Sequence, residues 1–147
     1  MTDTQRESDN NFDYIPDQPA SGISVLLVED DESVSPVAET MLEMLGYTVI
    51  KVSNGVEALE RYQRNAADID LVITDIVMPL MDGYKLFREL KRLAPGLPVF
   101  ISSGLSEIDI TARISFDEMA GFIKKPYTLA QLQQALKSVT EELIQRS

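Results

Sequence analysis

The sequence predicts an α/β fold in which helices cover both faces of a five-stranded parallel sheet. Two observations predict it. Short apolar runs of β-forming residues alternate along the chain with amphipathic segments at helical spacing. Several of these runs end directly on polar residues, at the strand ends where open α/β sheets place their ligands. The 147 residues are enough for one domain that buries roughly 70% of the surface its unfolded chain exposes.

Residues 1–22 differ in composition from the rest of the chain. They contain five acidic residues and one arginine, a net charge of −4, with two prolines and few apolar residues. Such a segment cannot bury enough surface to offset its loss of entropy on ordering. We therefore predict a disordered acidic tail at residues 1–22 and a folded domain at residues 23–147. The tail could dock a partner, belong to a linker from a larger protein, or be a passive terminus.

The first half of the domain is expected to contain two strands and two helices. A strand at residues 23–28 precedes a helix at residues 33–45, which Gly46 ends in a left-handed conformation. Residues 47–52 alternate as a second strand, and residues 56–65 follow as a helix. The first helix should turn one apolar face to the sheet, formed by Val34, Val37, Met41, Met44 and Leu45.

The chain then repeats the same alternation. An apolar run from residue 71 forms the third strand and ends on Asp75. Asp82 and Gly83 open a third helix, which closes before Pro95, and residues 97–102 form the fourth strand.

The remaining segments complete the predicted sheet. Residues 106–119 are rich in Ser, Thr, Ile and Asp, so we expect the least stable helix there. A fifth strand at residues 122–124 precedes the last helix, which starts with the capping-box pair Thr128 and Gln131. Right-handed crossovers then give a flavodoxin-like, doubly wound sheet of order 2-1-3-4-5 with five helices.

Asp75 is the predicted reactive residue because it ends a buried strand. For an isolated aspartate in this pattern, a turn or a helix cap would be the better interpretation. Residues at three other strand ends favour a reactive role for Asp75 over a turn or a cap. These ends carry Glu29, Asp30 and Asp31 after the first strand, Ser103 after the fourth and Lys125 after the fifth. A parallel sheet brings these ends to one edge, and phosphoryl transfer to a carboxylate requires such a set of groups.

These strand-end residues together resemble the receiver domain of two-component response regulators, from about Ile23 to the C-terminus. The resemblance implies a role for each of them. Asp75 would be the phosphoacceptor, Ser103 the switch hydroxyl and Lys125 the phosphate-binding lysine. Phe122 would be the switch aromatic. The peptide bond between Lys125 and Pro126 would be cis, and Lys124 would be a solvated neighbour.

The resemblance also implies a Mg²⁺ site at the acidic strand ends. Carboxylates are hard oxygen ligands that suit this ion. Asp30 and Asp75 would bind the ion directly together with the backbone carbonyl of Val77, and Glu29 would bind through water. Asp31 is expected to start or cap the first helix instead of binding the metal.

Composition limits the partners of the chain. It has no histidine and no cysteine, so any phosphohistidine must come from a histidine kinase or a histidine phosphotransfer domain. The formal charge of −11 argues against direct nucleic-acid binding. No stretch is apolar enough for a membrane span and no signal peptide is evident, so we expect a cytoplasmic protein. The resemblance implies that a downstream protein would bind the fourth helix, fifth strand and fifth helix.

Two functional classes compete at this stage. The first is a phospho-accepting receiver, standing alone or as a module of a hybrid histidine kinase; it is not an enzyme, although it assists its own phosphorylation and dephosphorylation. The second is an Asp-nucleophile phosphatase of the haloacid dehalogenase type. That family needs a second Asp two residues after the nucleophile, where this chain has Val77. A phosphorylation-independent adaptor is a further alternative.

Overall fold

The computed structural model describes residues 22–146, so all but the last residue of the predicted acidic tail lies outside the described residues. The described part alternates strands and helices along the chain. The strands are β1 (Ser24–Val28), β2 (Thr48–Val52), β3 (Leu71–Thr74), β4 (Val99–Ser103) and β5 (Gly121–Lys124). The helices are α1 (Ser35–Met44), α2 (Gly55–Asn65), α3 (Gly83–Leu93), α4 (Glu107–Thr111) and α5 (Leu129–Arg146), with a 3₁₀ turn at Ala66–Asp68.

The five strands form one parallel sheet in the order β2-β1-β3-β4-β5, which confirms the predicted doubly wound topology. The register aligns the carboxyl ends of neighbouring strands. Val28 pairs with Val52 on one side and with Thr74 on the other, and Ser103 pairs with Lys124. Residues that follow these positions therefore lie along a single edge of the sheet.

Two hydrophobic clusters fill the space on the two faces of the sheet. One contains buried side chains of α1 and α5, such as Leu42, Leu132 and Leu136. The other contains buried side chains of α2, α3 and α4, such as Leu86 and Ile110. The central strands β1, β3 and β4 are buried on both sides, which explains their nearly continuous apolar sequences.

Helix α1 confirms part of the predicted apolar face and corrects the rest. Leu45, directly after the helix, is 3% exposed, and Met41 packs against the same hydrophobic cluster, as predicted. Ser35, Ala38 and Leu42 of α1 are buried, whereas Val37 is 53% exposed and Met44 is 63% exposed. Two patterns at helical spacing overlap in this helix, offset by one residue. The set that packs on the sheet is the one that contains Ser35 and Ala38. These small side chains let the helix backbone approach the strands closely.

Helix α4 is shorter than the predicted segment 106–119, since only Glu107–Thr111 is helical. The hydrogen bonds after it show why the helix does not continue. The Ser115 amide donates to Glu118 Oε1 at 3.1 Å, and the Glu118 amide donates to the Ser115 carbonyl at 2.9 Å. These local bonds form a separate turn that competes with helical hydrogen bonding.

The signals that start and stop the other helices act as predicted. Asp82 Oδ1 accepts a hydrogen bond from the Lys85 amide at 2.9 Å and caps α3. Thr128 and Gln131 accept from each other's amides, which confirms the capping box of α5. Gly46 has a φ of 100° after α1. None of the helices within residues 22–146 has the length and apolar character to cross a membrane.

Candidate functional site

Three carboxylates meet where β1 and β3 end. Glu29 and Asp30 follow Val28, the last residue of β1, and Asp75 follows Thr74, the last residue of β3. One carboxylate oxygen from each of the three acids lies within 4.8 Å of the other two. The close approach follows from the sheet itself, because the Asp75 amide donates to the carbonyl of Val28 at 3.1 Å.

Lys125 reaches into this acidic cluster from the end of β5. Its ammonium donates to Glu29 Oε1 at 2.7 Å and to Asp75 Oδ2 at 3.0 Å. Burial disfavours the charged form of Lys125, but the hydrogen bonds to the two carboxylates outweigh it and raise the pKa of the ammonium. The peptide bond between Lys125 and Pro126 is cis, as the resemblance implied.

Glu29 is the most buried acid of the cluster, with 6% of its surface exposed. Burial raises the pKa of its carboxyl group in spite of the contact with Lys125. The cluster contains three acidic side chains and one ammonium, which contacts only Glu29 and Asp75, so the acidic groups outnumber the positive charge. A hard divalent cation would add positive charge there, and the oxygen donors fit Mg²⁺.

Each side-chain oxygen of Asp75 accepts a hydrogen bond. Oδ1 accepts from the Ile76 amide at 2.7 Å, and Oδ2 accepts from Lys125. Its side chain is half-buried at the edge of the sheet. The Thr74 hydroxyl donates to the Asp75 carbonyl at 2.8 Å and steadies the backbone at this position.

Asp31 belongs to the turn before α1, as predicted, and not to the acidic cluster. Its carboxylate accepts from the Ser33 amide at 2.9 Å and from the Ser33 hydroxyl at 2.7 Å. Its backbone carbonyl accepts from the amides of Val34 and Ser35. The hydrogen bonds from Ser33 lower the pKa of the exposed Asp31 carboxyl.

Ser103 and Phe122 lie on the neighbouring strands β4 and β5. Ser103 is 1% exposed, and its hydroxyl oxygen accepts from the Leu105 amide at 3.1 Å. Phe122 is half-buried and packs against the cluster formed with α2, α3 and α4. The structure therefore places the two predicted switch residues on adjacent strands. Their movement remains a prediction, as does metal binding by the Val77 carbonyl.

A comparison with protein families adds an independent observation to this geometry. The sequence model described as "Response regulator receiver domain" matches residues 25–137, which is most of the chain. The chain belongs to this family. The receiver domain accounts for both the doubly wound sheet and the acidic edge at which β1 and β3 end.

Two curated proteins with similar receiver sequences are much longer than this chain. It is 38% identical over 119 residues to the sensor kinase CckA of Brucella abortus, covering 81% of this chain and 13% of that protein. It is 34% identical over 119 residues to the C4-dicarboxylate transport transcriptional regulatory protein DctD of Rhizobium meliloti, covering 81% and 25%. The receiver thus corresponds to a small part of each relative.

Solved receiver structures match this domain over nearly their whole length. A response regulator receiver domain protein from Clostridium thermocellum is 26% identical with a TM-score of 0.77, covering 85% of this chain and 99% of that one. A CheY from Borrelia burgdorferi, in a complex with CheX, BeF3 and Mg, is 26% identical with a TM-score of 0.74. That match covers 88% of this chain and 93% of the other.

The structure adds one positioning residue to the receiver site that the sequence analysis assigned only to the start of a helix. A Cβ added to Gly83 would lie 2.1 Å from the Asp75 carbonyl oxygen and 2.7 Å from the Ile76 Cα. The Gly83 amide also donates to the Ile76 carbonyl at 2.8 Å. The backbone of α3 therefore packs directly against the segment that carries Asp75. The signal in the sequence is a glycine soon after Asp75, and it has no distinctive spacing.

Proposed function

We propose that this receiver domain accepts a phosphoryl group on Asp75 from a phosphohistidine of a histidine kinase or a histidine phosphotransfer domain. One observation carries the proposal. Asp75 lies in a cluster of three carboxylates with an ammonium bonded to its Oδ2 atom. Two negative groups must approach each other in this reaction, so a site with fixed positive charge and metal ligands is suited to it.

The transfer moves one phosphoryl group between two proteins. An oxygen of Asp75 attacks the phosphorus, and the bond between phosphorus and the imidazole nitrogen breaks. The electron pair of that bond stays on the nitrogen. With a proton on its other ring nitrogen, the imidazole leaves as neutral histidine, and Asp75 becomes an acyl phosphate. The imidazole belongs to the partner because this chain contains no histidine.

The proposed cofactor is Mg²⁺ at the acidic cluster. Asp30 and Asp75 would bind it directly with the Val77 backbone carbonyl, and Glu29 would bind through water. When bound, the ion neutralises carboxylate and phosphoryl oxygens and so lowers the repulsion between them. The excess of acidic groups over positive charge in the cluster and its hard oxygen donors support this assignment.

Lys125 and Ser103 are proposed to hold the phosphoryl oxygens. The Lys125 ammonium already donates to Asp75, so a phosphoryl group there would lie next to a cation. Ser103 would donate its hydroxyl proton to another phosphoryl oxygen. Movement of Ser103 would open space for Phe122, which is half-buried on the neighbouring strand β5 and pairs with Ile101 of β4.

The proposed output surface consists of α4, β5 and α5. Two apolar side chains of this region face solvent, Ile108 with 80% and Phe116 with 56% exposure. Exposed apolar side chains of this size suit contact with a protein. A downstream protein partner in the cytoplasm is therefore proposed for this surface. Direct nucleic-acid binding is not proposed, given the charge of −11.

The 38% identity to the Brucella sensor kinase supports a second candidate, in which this domain is the receiver module of a hybrid histidine kinase. The proposed chemistry at Asp75 is the same in both cases. An antibody raised against the domain would distinguish them. A band at the mass of the 147-residue chain in a cell extract supports a stand-alone receiver, and a much larger band supports the kinase module.

The experiment that tests phosphorylation uses the purified chain, Mg²⁺ and a small phosphodonor such as acetyl phosphate. Intact-mass measurement should show the addition of one phosphoryl group in the wild type and none in Asp75→Asn. Omission of Mg²⁺ should greatly reduce the addition. A wild type that gains no phosphoryl group would favour the phosphorylation-independent adaptor. Equal labelling of Asp75→Asn would place the acceptor elsewhere.

A further inference from the structure

Lys124 connects β5 to the loop that follows the proposed switch hydroxyl. The parallel register pairs Lys124 with Ser103, so its side chain stands beside the end of β4. Its ammonium donates a hydrogen bond to the carbonyl oxygen of Gly104, the residue directly after Ser103. Lys124 is exposed, as expected for a solvated lysine. Its ammonium nevertheless connects β5 to the loop after β4.

Gly104 is exposed at the start of the loop that follows β4. A Cβ added there would meet nothing within 4 Å, so the space beside its Cα is open. Next to Gly104, the Leu105 amide donates to the Ser103 hydroxyl, and the Lys125 amide donates to the Ser103 carbonyl from just after the neighbouring strand β5. The ammonium of Lys124 is therefore well placed to restrain this loop.

The site is arranged around a free carboxylate while this restraint is in place. The Asp75 oxygens accept from the Ile76 amide and from Lys125, and the Ser103 hydroxyl accepts from Leu105. Within residues 22–146, no hydrogen bond joins the Ser103 hydroxyl to Asp75 or to Lys125. A move of Ser103 toward a phosphoryl oxygen on Asp75 would carry the directly bonded Gly104 peptide with it.

We propose that Lys124 is a positioning residue that holds the Gly104 peptide, and through it Ser103, in the arrangement of the free Asp75 carboxylate. This inference rests on the proposed function of Ser103. An interaction made in only one of two arrangements biases the equilibrium toward that arrangement. Lys124 therefore opposes the move of Ser103 toward a phosphoryl group and sets how strongly the domain responds to one.

The direction of the change in affinity for a phosphoryl analogue distinguishes a restraining role of Lys124 from a purely electrostatic one. Lys124 is a cation near an anion-binding site, so loss of its charge alone would weaken the binding of a phosphoryl analogue. Loss of the restraint would instead strengthen that binding. A net hydrogen bond of ordinary strength corresponds to a change of about three- to tenfold in affinity.

The test measures the affinity of the full chain for beryllofluoride, an analogue of the phosphoryl group, by calorimetry in the presence of Mg²⁺. Lys124→Met should bind it about three- to tenfold more tightly than the wild type. Lys137→Met removes the same charge from an exposed site on α5 and should leave the affinity unchanged. In a Ser103→Ala background, the gain from Lys124→Met should disappear, because the restraint acts through Ser103.

Amide exchange without the analogue gives a second measurement. The amides of Gly104 and Leu105 should exchange faster in Lys124→Met than in the wild type. An unchanged or weaker affinity of Lys124→Met, or an equal gain in the Ser103→Ala background, would overturn the role of Lys124 while leaving phosphorylation of Asp75 intact. A wild type that fails to bind beryllofluoride with Mg²⁺ would overturn the proposed function and the role of Lys124 together.

Discussion

Lys125 is shared by two carboxylates, Glu29 and Asp75, whereas Asp30 forms no ion pair within residues 22–146. The three acids are therefore expected to have different roles. Glu29 and Asp75 are partly neutralised by the ammonium in the absence of metal. Asp30 lies beside them without a cationic partner among the described residues, so its side chain has the most to gain from a divalent cation.

Asp30→Asn should weaken Mg²⁺ binding by about tenfold or more, because the number of anionic ligands sets the affinity of such a site. Asp31→Asn is the matched control. It removes the same charge from the next residue, whose carboxylate bonds to Ser33 outside the cluster. Calorimetric titration with Mg²⁺ compares the two variants. Equal affinities of the two variants would show that Asp30 is not a ligand.

The raised pKa of Glu29 predicts how the stability of the metal-free protein depends on pH. A carboxyl group whose pKa is higher in the folded state binds its proton more tightly there, so its contribution favours folding at low pH. That contribution is lost as the pH rises from the ordinary value of 4.5 through the folded-state pKa. The free energy of unfolding of the wild type, relative to Glu29→Gln, should therefore fall over this range. Urea unfolding of both proteins at several pH values measures the difference, and parallel curves would contradict it.

At the scale of elements, the helix boundaries were predictable where a local signal controls them. Asp82, Thr128 and Gly46 mark helix ends through hydrogen bonds or a backbone conformation that neighbouring residues determine. The face of α1 that packs against the sheet was not fully predictable from such local signals. Two apolar patterns overlap in that helix, and only the distance between helix and sheet favours the one with Ala38. Tertiary packing therefore decided what local hydrophobicity left open.

The contact between α3 and the end of β3 predicts a severe effect of Gly83→Ala. The added Cβ would lie 2.1 Å from a backbone oxygen of Asp75, so the helix or the segment that carries Asp75 must move. We expect a loss of about 1–3 kcal/mol or more in the free energy of unfolding, together with weaker Mg²⁺ binding.

Gly104→Ala is the matched control for this prediction. Nothing lies within 4 Å of the Cβ that this change adds, and the position has no left-handed φ. Its free energy of unfolding should stay within about 0.5 kcal/mol of the wild type. Urea unfolding compares both variants with the wild type. Equal stability of Gly83→Ala and Gly104→Ala would refute the proposed close contact.

At the scale of the whole molecule, the sequence was sufficient to predict that the site residues lie together. The carboxyl ends of parallel strands meet at one edge of the sheet, and these residues follow those ends. Glu29, Asp30 and Asp75 follow two neighbouring strands, and their meeting needs no side-chain detail. The sharing of Lys125 and the bond from Lys124 to Gly104 were not predictable. They depend on the direction of long side chains, which the alternation of strand residues does not determine.

Phosphorylation should change amide exchange in residues 105–119. This segment contains only a short helix, and the Ser115 to Glu118 turn interrupts its hydrogen bonding, so its local stability should be low. Movement of Ser103 and Phe122 at the ends of the adjacent strands would be transmitted to it. Exchange measured by mass spectrometry, with α2 as the reference segment, tests this. Identical exchange in residues 105–119 would indicate that the output uses another face.

The central claim is that Asp75 is the acceptor, and the most direct measurement locates the phosphoryl group in the sequence. Borohydride reduces an acyl phosphate to an alcohol but leaves free carboxylates intact, so it marks the acceptor. After incubation with a phosphodonor and Mg²⁺, reduction and peptide mass analysis should show homoserine at position 75. The carboxylates of Glu29 and Asp30 should remain unchanged. Reduction at either of these residues, or at no position in a phosphorylated sample, would contradict the account.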